Sequence, residues 1–262
     1  SFDVSLDAGN AGTVGISELD LNSASETLTV DGISYTFPVA GATFLVGDTV
    51  DGSSLFSTAC AYGGPSNTLD DCGNVNAAFV GSGTTFGASY DFDNGFTAAI
   101  GYAGAGDSTA GLMTSEGADS YGGNVAYTAD TYGVSVTYAM VEDATGIDDT
   151  YTALNAYWTP EGFPSISAGY EWGDDGSAAD ASDELTSYFI GVETEVGPGT
   201  AGAALGTKTP TVEGTSELLM YEAFYSYPVN DGMTITPLVY VKEFATGTDD
   251  ETGVMVKTSF SF

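Results

Sequence analysis

From Phe86 onward the chain alternates. Phe86, Ala88, Tyr90 and Phe92 share one side of an extended segment, and after Asp93-Asn94-Gly95 the set Phe96, Ala98, Ile100 and Tyr102 shares one side of the next. Successive side chains in a strand point to opposite faces, so each set predicts a strand with one apolar face. The same pattern recurs at Tyr132, Val134, Val136, Tyr138 and Met140, and at Ile166, Ala168, Tyr170 and Trp172. It returns in the terminal Val254, Val256, Thr258, Phe260 and Phe262. Further strands are predicted over 150–159, 184–195, 200–208, 218–227 and 233–243. The first part is less regular. Phe2, Val4 and Leu6 start one strand, 12–21 reads as another whose parity slips, and 41–50 as a further one. Within 26–39, Leu28 and Val30 are even but Ile33, Tyr35, Phe37 and Val39 are odd. This flip at Asp31-Gly32 predicts a bulge or a two-residue hairpin turn.

The connections sort by length. Short Pro, Gly and Asn turns join alternate pairs: Pro160–Phe163, Val196–Gly199 and Pro228–Gly232. Between them lie longer acidic stretches at 104–118, 142–149, 173–183, 209–217 and 244–251. Strands of roughly 10 residues with short turns at one end and long polar loops at the other are the outer-membrane barrel pattern. No run reaches the ~18 apolar residues of a spanning helix, so a membrane span here must be a closed barrel. The fold expected for residues 1–262 is therefore a single all-β domain, a transmembrane antiparallel β-barrel. About sixteen strands follow if the chain turns at Asp31-Gly32, within a range of about fourteen to eighteen.

Charge narrows the function. The chain carries 37 acids against 3 lysines, with no histidine and a formal net charge of −34. Nucleic acid is excluded as a partner, because phosphate neutralisation needs Lys and Arg. Without histidine there is no Ser-His-Asp triad, no Cys-His pair and no His-bearing zinc site, so an enzyme is not expected. No cofactor motif is present. Acid pairs such as Asp148-Asp149 and Asp249-Asp250-Glu251 could hold Ca²⁺ or Mg²⁺ loosely, although no EF-hand spacing is present, and solvated surface acids are the simpler reading. So large a charge suits a salty medium.

The longest non-repeating connection, about 51–82, is expected to fold inward and narrow the lumen. It carries Asp51, Cys60, Tyr62, Asp70, Asp71 and Cys72. The two cysteines suit a disulfide in an oxidising compartment; the alternative is two free thiols. By parity Lys208, Lys242 and Lys257 point away from the apolar face, and so do Glu171, Glu193 and Glu222. Lysines facing Asp51, Asp70 and Asp71 would set up a transverse field across a constriction, and patches of charge bias ion passage. The expected constriction is thus Asp51, Tyr62, Asp70, Asp71, Lys208, Glu222, Lys242 and Lys257, with no catalytic or metal-ligating residue.

Two long motifs then carry a resemblance: Ala59-Cys-Ala-Tyr-Gly-Gly-Pro-Ser-Asn-Thr-Leu-Asp-Asp-Cys-Gly-Asn74 and Val229-Asn-Asp-Gly-Met-Thr-Ile-Thr-Pro-Leu-Val-Tyr-Val-Lys-Glu243, with Ile33-Ser-Tyr-Thr-Phe-Pro38 and the terminal Val256-Lys-Thr-Ser-Phe-Ser-Phe262 in support. The sequence resembles the porins of marine cyanobacteria, the family often called iron uptake porins. The resemblance implies an outer-membrane barrel of a Gram-negative-type envelope, usually trimeric, seated in lipid and lipopolysaccharide. It would pass small hydrophilic solutes and inorganic ions by diffusion. Family members usually carry an upstream peptidoglycan-binding domain, so this chain is expected to be the barrel alone, reaching peptidoglycan only through a domain absent from it. Nothing in the residues shows an iron site. The alternative reading is a structural envelope barrel, or a phage or adhesion surface, with a plugged lumen.

Overall fold

The computed structural model describes residues 1–7, 18, 27–79, 83–105, 111–114, 117–142, 148–174, 176, 184–245 and 248–261. Among these there is no helix. Fifteen strands form one antiparallel sheet: β1 (Phe2–Asp7), β2 (Thr29–Val39), β3 (Ala42–Asp48), β4 (Thr84–Asp91), β5 (Phe96–Gly104), β6 (Asp119–Thr128), β7 (Tyr132–Glu142), β8 (Asp148–Trp158), β9 (Ser165–Asp174), β10 (Glu184–Val196), β11 (Gly199–Thr207), β12 (Thr211–Val212), β13 (Leu219–Asn230), β14 (Met233–Lys242) and β15 (Glu251–Phe260). Each strand pairs with its neighbour in sequence, except that the two-residue β12 pairs with β10 and β11 pairs with β13.

The short ends turn tightly. Ala40 and Gly41 take positive φ in the two-residue connection between β2 and β3, where paired positive-φ residues suit the strand twist; Asp93 and Gly95 take positive φ in the four-residue connection between β4 and β5. The expectation of a strand over 12–21 falls outside the described residues. At Asp31-Gly32 the chain does not turn. Ser5 pairs with Gly32 and Leu6 with Val30, leaving Asp31 as the extra residue of a bulge inside one strand. The bulge reconciles the two parities: Leu28, Val30, Ile33 and Tyr35 are all exposed. A turn there would have split β2, so the route to sixteen strands through that split is not the one the chain takes.

The exposure pattern is inverted relative to a water-soluble sheet. In β7, Tyr132, Val134, Val136 and Tyr138 are exposed while Gly133, Ser135, Thr137 and Ala139 are buried. In β9, Ile166, Ala168, Tyr170 and Trp172 face out, with Ser167, Gly169 and Glu171 buried. Large apolar side chains outside and small or polar ones inside are what a lipid-facing barrel wall requires. Aromatic contacts gather near the short-turn end, where Phe96 meets Tyr127 at 4.7 Å and Tyr90 meets Phe92 at 4.9 Å between ring centroids.

The sheet wraps around its own interior. Two buried apolar clusters lie between the inner wall and the 49–83 connection. One joins Phe79 and Ala77 to Ala103 of β5, Ala139 of β7 and Tyr151 of β8. The other joins Tyr62, Leu69 and Cys72 to Phe189 of β10, Phe224 of β13, Leu238 of β14 and Met255 of β15. With strands about 4.8 Å apart, one connection can reach β5 and β15 together only if the sheet curves around it. Glu18, in the chain between β1 and β2, forms an ion pair with Lys242 of β14. Among the described residues no ladder pairs β1 with β15.

Candidate pore constriction

The inward connection is fastened to the wall by a regular ladder. Along residues 57 to 63 every second backbone N–H donates to a wall side chain. Ser57 N donates to Asn124 Oδ1 of β6 at 2.9 Å, Ala59 N to Ser135 Oγ of β7 at 2.9 Å, Ala61 N to Ser167 Oγ of β9 at 2.9 Å, and Gly63 N to Glu193 Oε1 of β10 at 2.7 Å. Asn155 of β8 donates through Nδ2 to Cys72 O at 2.9 Å. Buried backbone groups must be paired, and here the barrel wall supplies partners that a strand would otherwise give.

Three wall glutamates are the strongest anchors. Glu171 of β9 accepts from Asn76 N, Asn76 Nδ2 and Ala77 N at 2.8–2.9 Å. Glu193 holds Gly63, and Glu222 of β13 accepts from Tyr62 OH at 2.5 Å. Hydrogen bonds to a charged group contribute about 1.5–3 kcal/mol each, against about 1 for neutral pairs. Where the connection's backbone presses closest, the wall is glycine. A Cβ at Gly169 would overlap Cys72 O, and one at Gly101 would overlap Gly52 O.

A disulfide joins Cys60 and Cys72, whose Cα atoms are 6.3 Å apart. Chain-entropy reasoning credits a loop of this size with about 3 kcal/mol. Tyr62, packed on Phe189 and Phe224, has its phenol pushed well above its ordinary value by burial and by the Glu222 and Glu193 carboxylates. The Asp71 carboxyl is pushed up to about 6, first by burial and then by Asp70 and Glu171, against the opposing Gly73 N–H bond.

The residues expected at the constriction divide into groups. Tyr62, Asp71 and Glu222 meet at or beside the loop anchors. Asp51 and Asp70 are exposed on the inward connection. The lysines do not act as a set. Lys208 sits at the long-loop end, with Nζ 3.2 Å from the Phe244 ring centroid and donating to Glu243 O at 3.2 Å. Lys242 is buried and paired with Glu18. Lys257, in register with Thr236, is exposed. The wall groups that hydrogen-bond to the loop are therefore acids and small polar residues. Glu171 and Glu193 were legible as inward-facing, but their role was not. Asn124, Ser135, Asn155 and Ser167 carried a signal in their parity, each being a hydrogen-bonding residue on the face opposite an apolar row. Glu18 carried none.

Among the described residues no cluster of three or more His, Cys, Asp or Glu is placed to hold a metal ion, and no helix is long and apolar enough to cross a membrane.

No protein-family model matches the chain, and a search of curated proteins finds no match. Solved structures do match. A porin refined at 1.8 Å resolution is similar with a TM-score of 0.61 and 19% identity, over 88% of this chain and 81% of that one. The anion-selective porin from Comamonas acidovorans gives a TM-score of 0.59 and 15% identity over 100% of both chains. OmpT of Vibrio cholerae lacking loop L8, an outer-membrane protein, gives 0.64 and 10% identity over 90% of this chain and 82% of that one. The chain has the porin fold.

Proposed function

We propose that this chain is the barrel of an outer-membrane porin, a passive water-filled channel for small hydrophilic solutes and inorganic ions. The observation that carries the reading is a long connection bound to the inner wall of a sheet whose outer face is apolar. Such a connection narrows a bore without changing the wall. Inward-parity side chains that keep solvent exposure lie on β15, β1 and β2: Lys257 and Ser259, Asp3 and Ser5, with Ser34 half-exposed. The conducting path runs along that polar sector, beside the part of the lumen filled by the inward connection. Acids dominate the lumen wall as they do the chain, so the channel is weakly cation-selective.

The motifs around Cys60–Cys72 and Val229–Glu243 support reading the chain as one of the porins of marine cyanobacteria, a homotrimer in lipid and lipopolysaccharide. It needs no dedicated cofactor, and its acidic loops hold Ca²⁺ or Mg²⁺ loosely. Proteoliposome swelling tests the reading. Small sugars should enter at rates that fall steeply with size, whereas liposomes as tight as protein-free ones would refute it.

The two apolar clusters inside the barrel support a second reading, a structural barrel with a plugged lumen. Leu69, Met220 and Leu238 are 2% exposed or less, so part of the bore is filled. Steady conductance separates the two readings.

A further inference from the structure

Glu18 stands outside the constriction read from the sequence, and its contacts join three separate parts of the chain. Its carboxylate pairs with Lys242 of β14, and both side chains are buried. It also accepts from the internal connection, from Thr68 N at 3.1 Å and Thr68 Oγ1 at 2.8 Å. Glu251 of β15 lies in register with Lys242 and accepts from Tyr240 OH at 2.8 Å, so the lysine sits between two acids. A buried ion pair whose remaining lone pairs are hydrogen-bonded is a device for fixing position.

We infer that Glu18 is a positioning residue of the channel, a clasp that ties the Thr68 end of the internal connection to β14 and so sets the width of the bore. The inference rests on the channel reading. Glu18 acts through geometry, since its charge is cancelled by Lys242; removing the pair as a pair should widen the bore without changing which ions pass. Flanking residues add weight. Leu69, next to Thr68, packs under Gly206 of β11, so loss of the clasp frees a segment that otherwise fills the lumen.

The test is single-channel recording in planar bilayers on the full chain, with reversal potentials in a KCl gradient. E18Q/K242M should raise mean conductance and open-channel noise and leave the reversal potential at the wild-type value. E18K and K242E each place like charges together and should also raise conductance and noise. The inference is overturned if E18Q/K242M conducts as wild type or if its reversal potential shifts while conductance stays constant. Heat-modifiable gel mobility identifies the folded variants, and E18Q replaces E18K if the latter does not fold. A wild-type protein with no conductance would instead sink the channel reading itself, a result distinct from all of these.

Discussion

At the residue scale, the inner wall is built from side chains that accept the loop's N–H groups and glycines that let its backbone approach. Gly169 lies directly under the Cys72 carbonyl. Gly169→Val should therefore displace the disulfide end of the loop at a cost of about 1–3 kcal/mol, as overpacking does, and lower the barrel's heat-modification temperature; an unchanged temperature would show that the loop does not rest there. Glu171→Ala leaves the Asn76 and Ala77 donors without their shared acceptor, at about 1–3 kcal/mol for each donor left buried and unpaired; faster proteolysis within 51–79 checks this. Asp71 makes the pH dependence explicit. Its folded value of about 6 lies above the ordinary carboxylate value of about 4, so the folded state binds the proton more tightly. Loop stability should rise as pH falls from above 6 towards 4 and be lost as pH rises through about 6. Protonation also removes a negative charge beside the bore, so cation preference should weaken across the same interval. Asp71→Asn should reduce that pH-dependent change in reversal potential.

At the element scale, the strands were legible because each buries one face in a different medium from the other. Val134, Val136 and Tyr138 outside against Ser135, Thr137 and Ala139 inside is a pattern that period-two reading finds directly. Asp31 was ambiguous because a bulge and a tight turn both flip parity; only the pairing of Ser5 with Gly32 and Leu6 with Val30 separates them. The inward course of 51–79 was legible from its length and cysteines, but its anchors were not. Hydrogen bonds between an irregular segment and several distant strands follow no local period. The lysines illustrate the same limit. Parity turns Lys242 inward, yet nothing near it in sequence announces Glu18. The Cys60–Cys72 bond closes the loop that the ladder already holds. Cys60→Ser/Cys72→Ser should therefore leave the barrel folded, with strand content unchanged by circular dichroism, while raising open-channel noise; loss of strand content would mean that the disulfide holds the barrel and not only its loop.

At the scale of the whole molecule, the imbalance of 37 acids against 3 lysines sets self-repulsion against an apolar exterior that needs lipid. Salt screens exposed charges with a Debye length of about 10 Å at 0.1 M. The temperature of heat modification should therefore rise with KCl, and rise further with Mg²⁺ at equal ionic strength if the acidic loops hold divalent ions. The fold joins the two demands, placing apolar side chains on the outside and using wall acids to fasten the constriction. The most direct measurement is single-channel recording of the wild-type chain in planar bilayers. A water-filled bore narrowed by 51–79 predicts steady, ohmic steps whose size grows with KCl concentration. A correctly folded, heat-modifiable barrel that inserts and leaves the bilayer electrically sealed would contradict it.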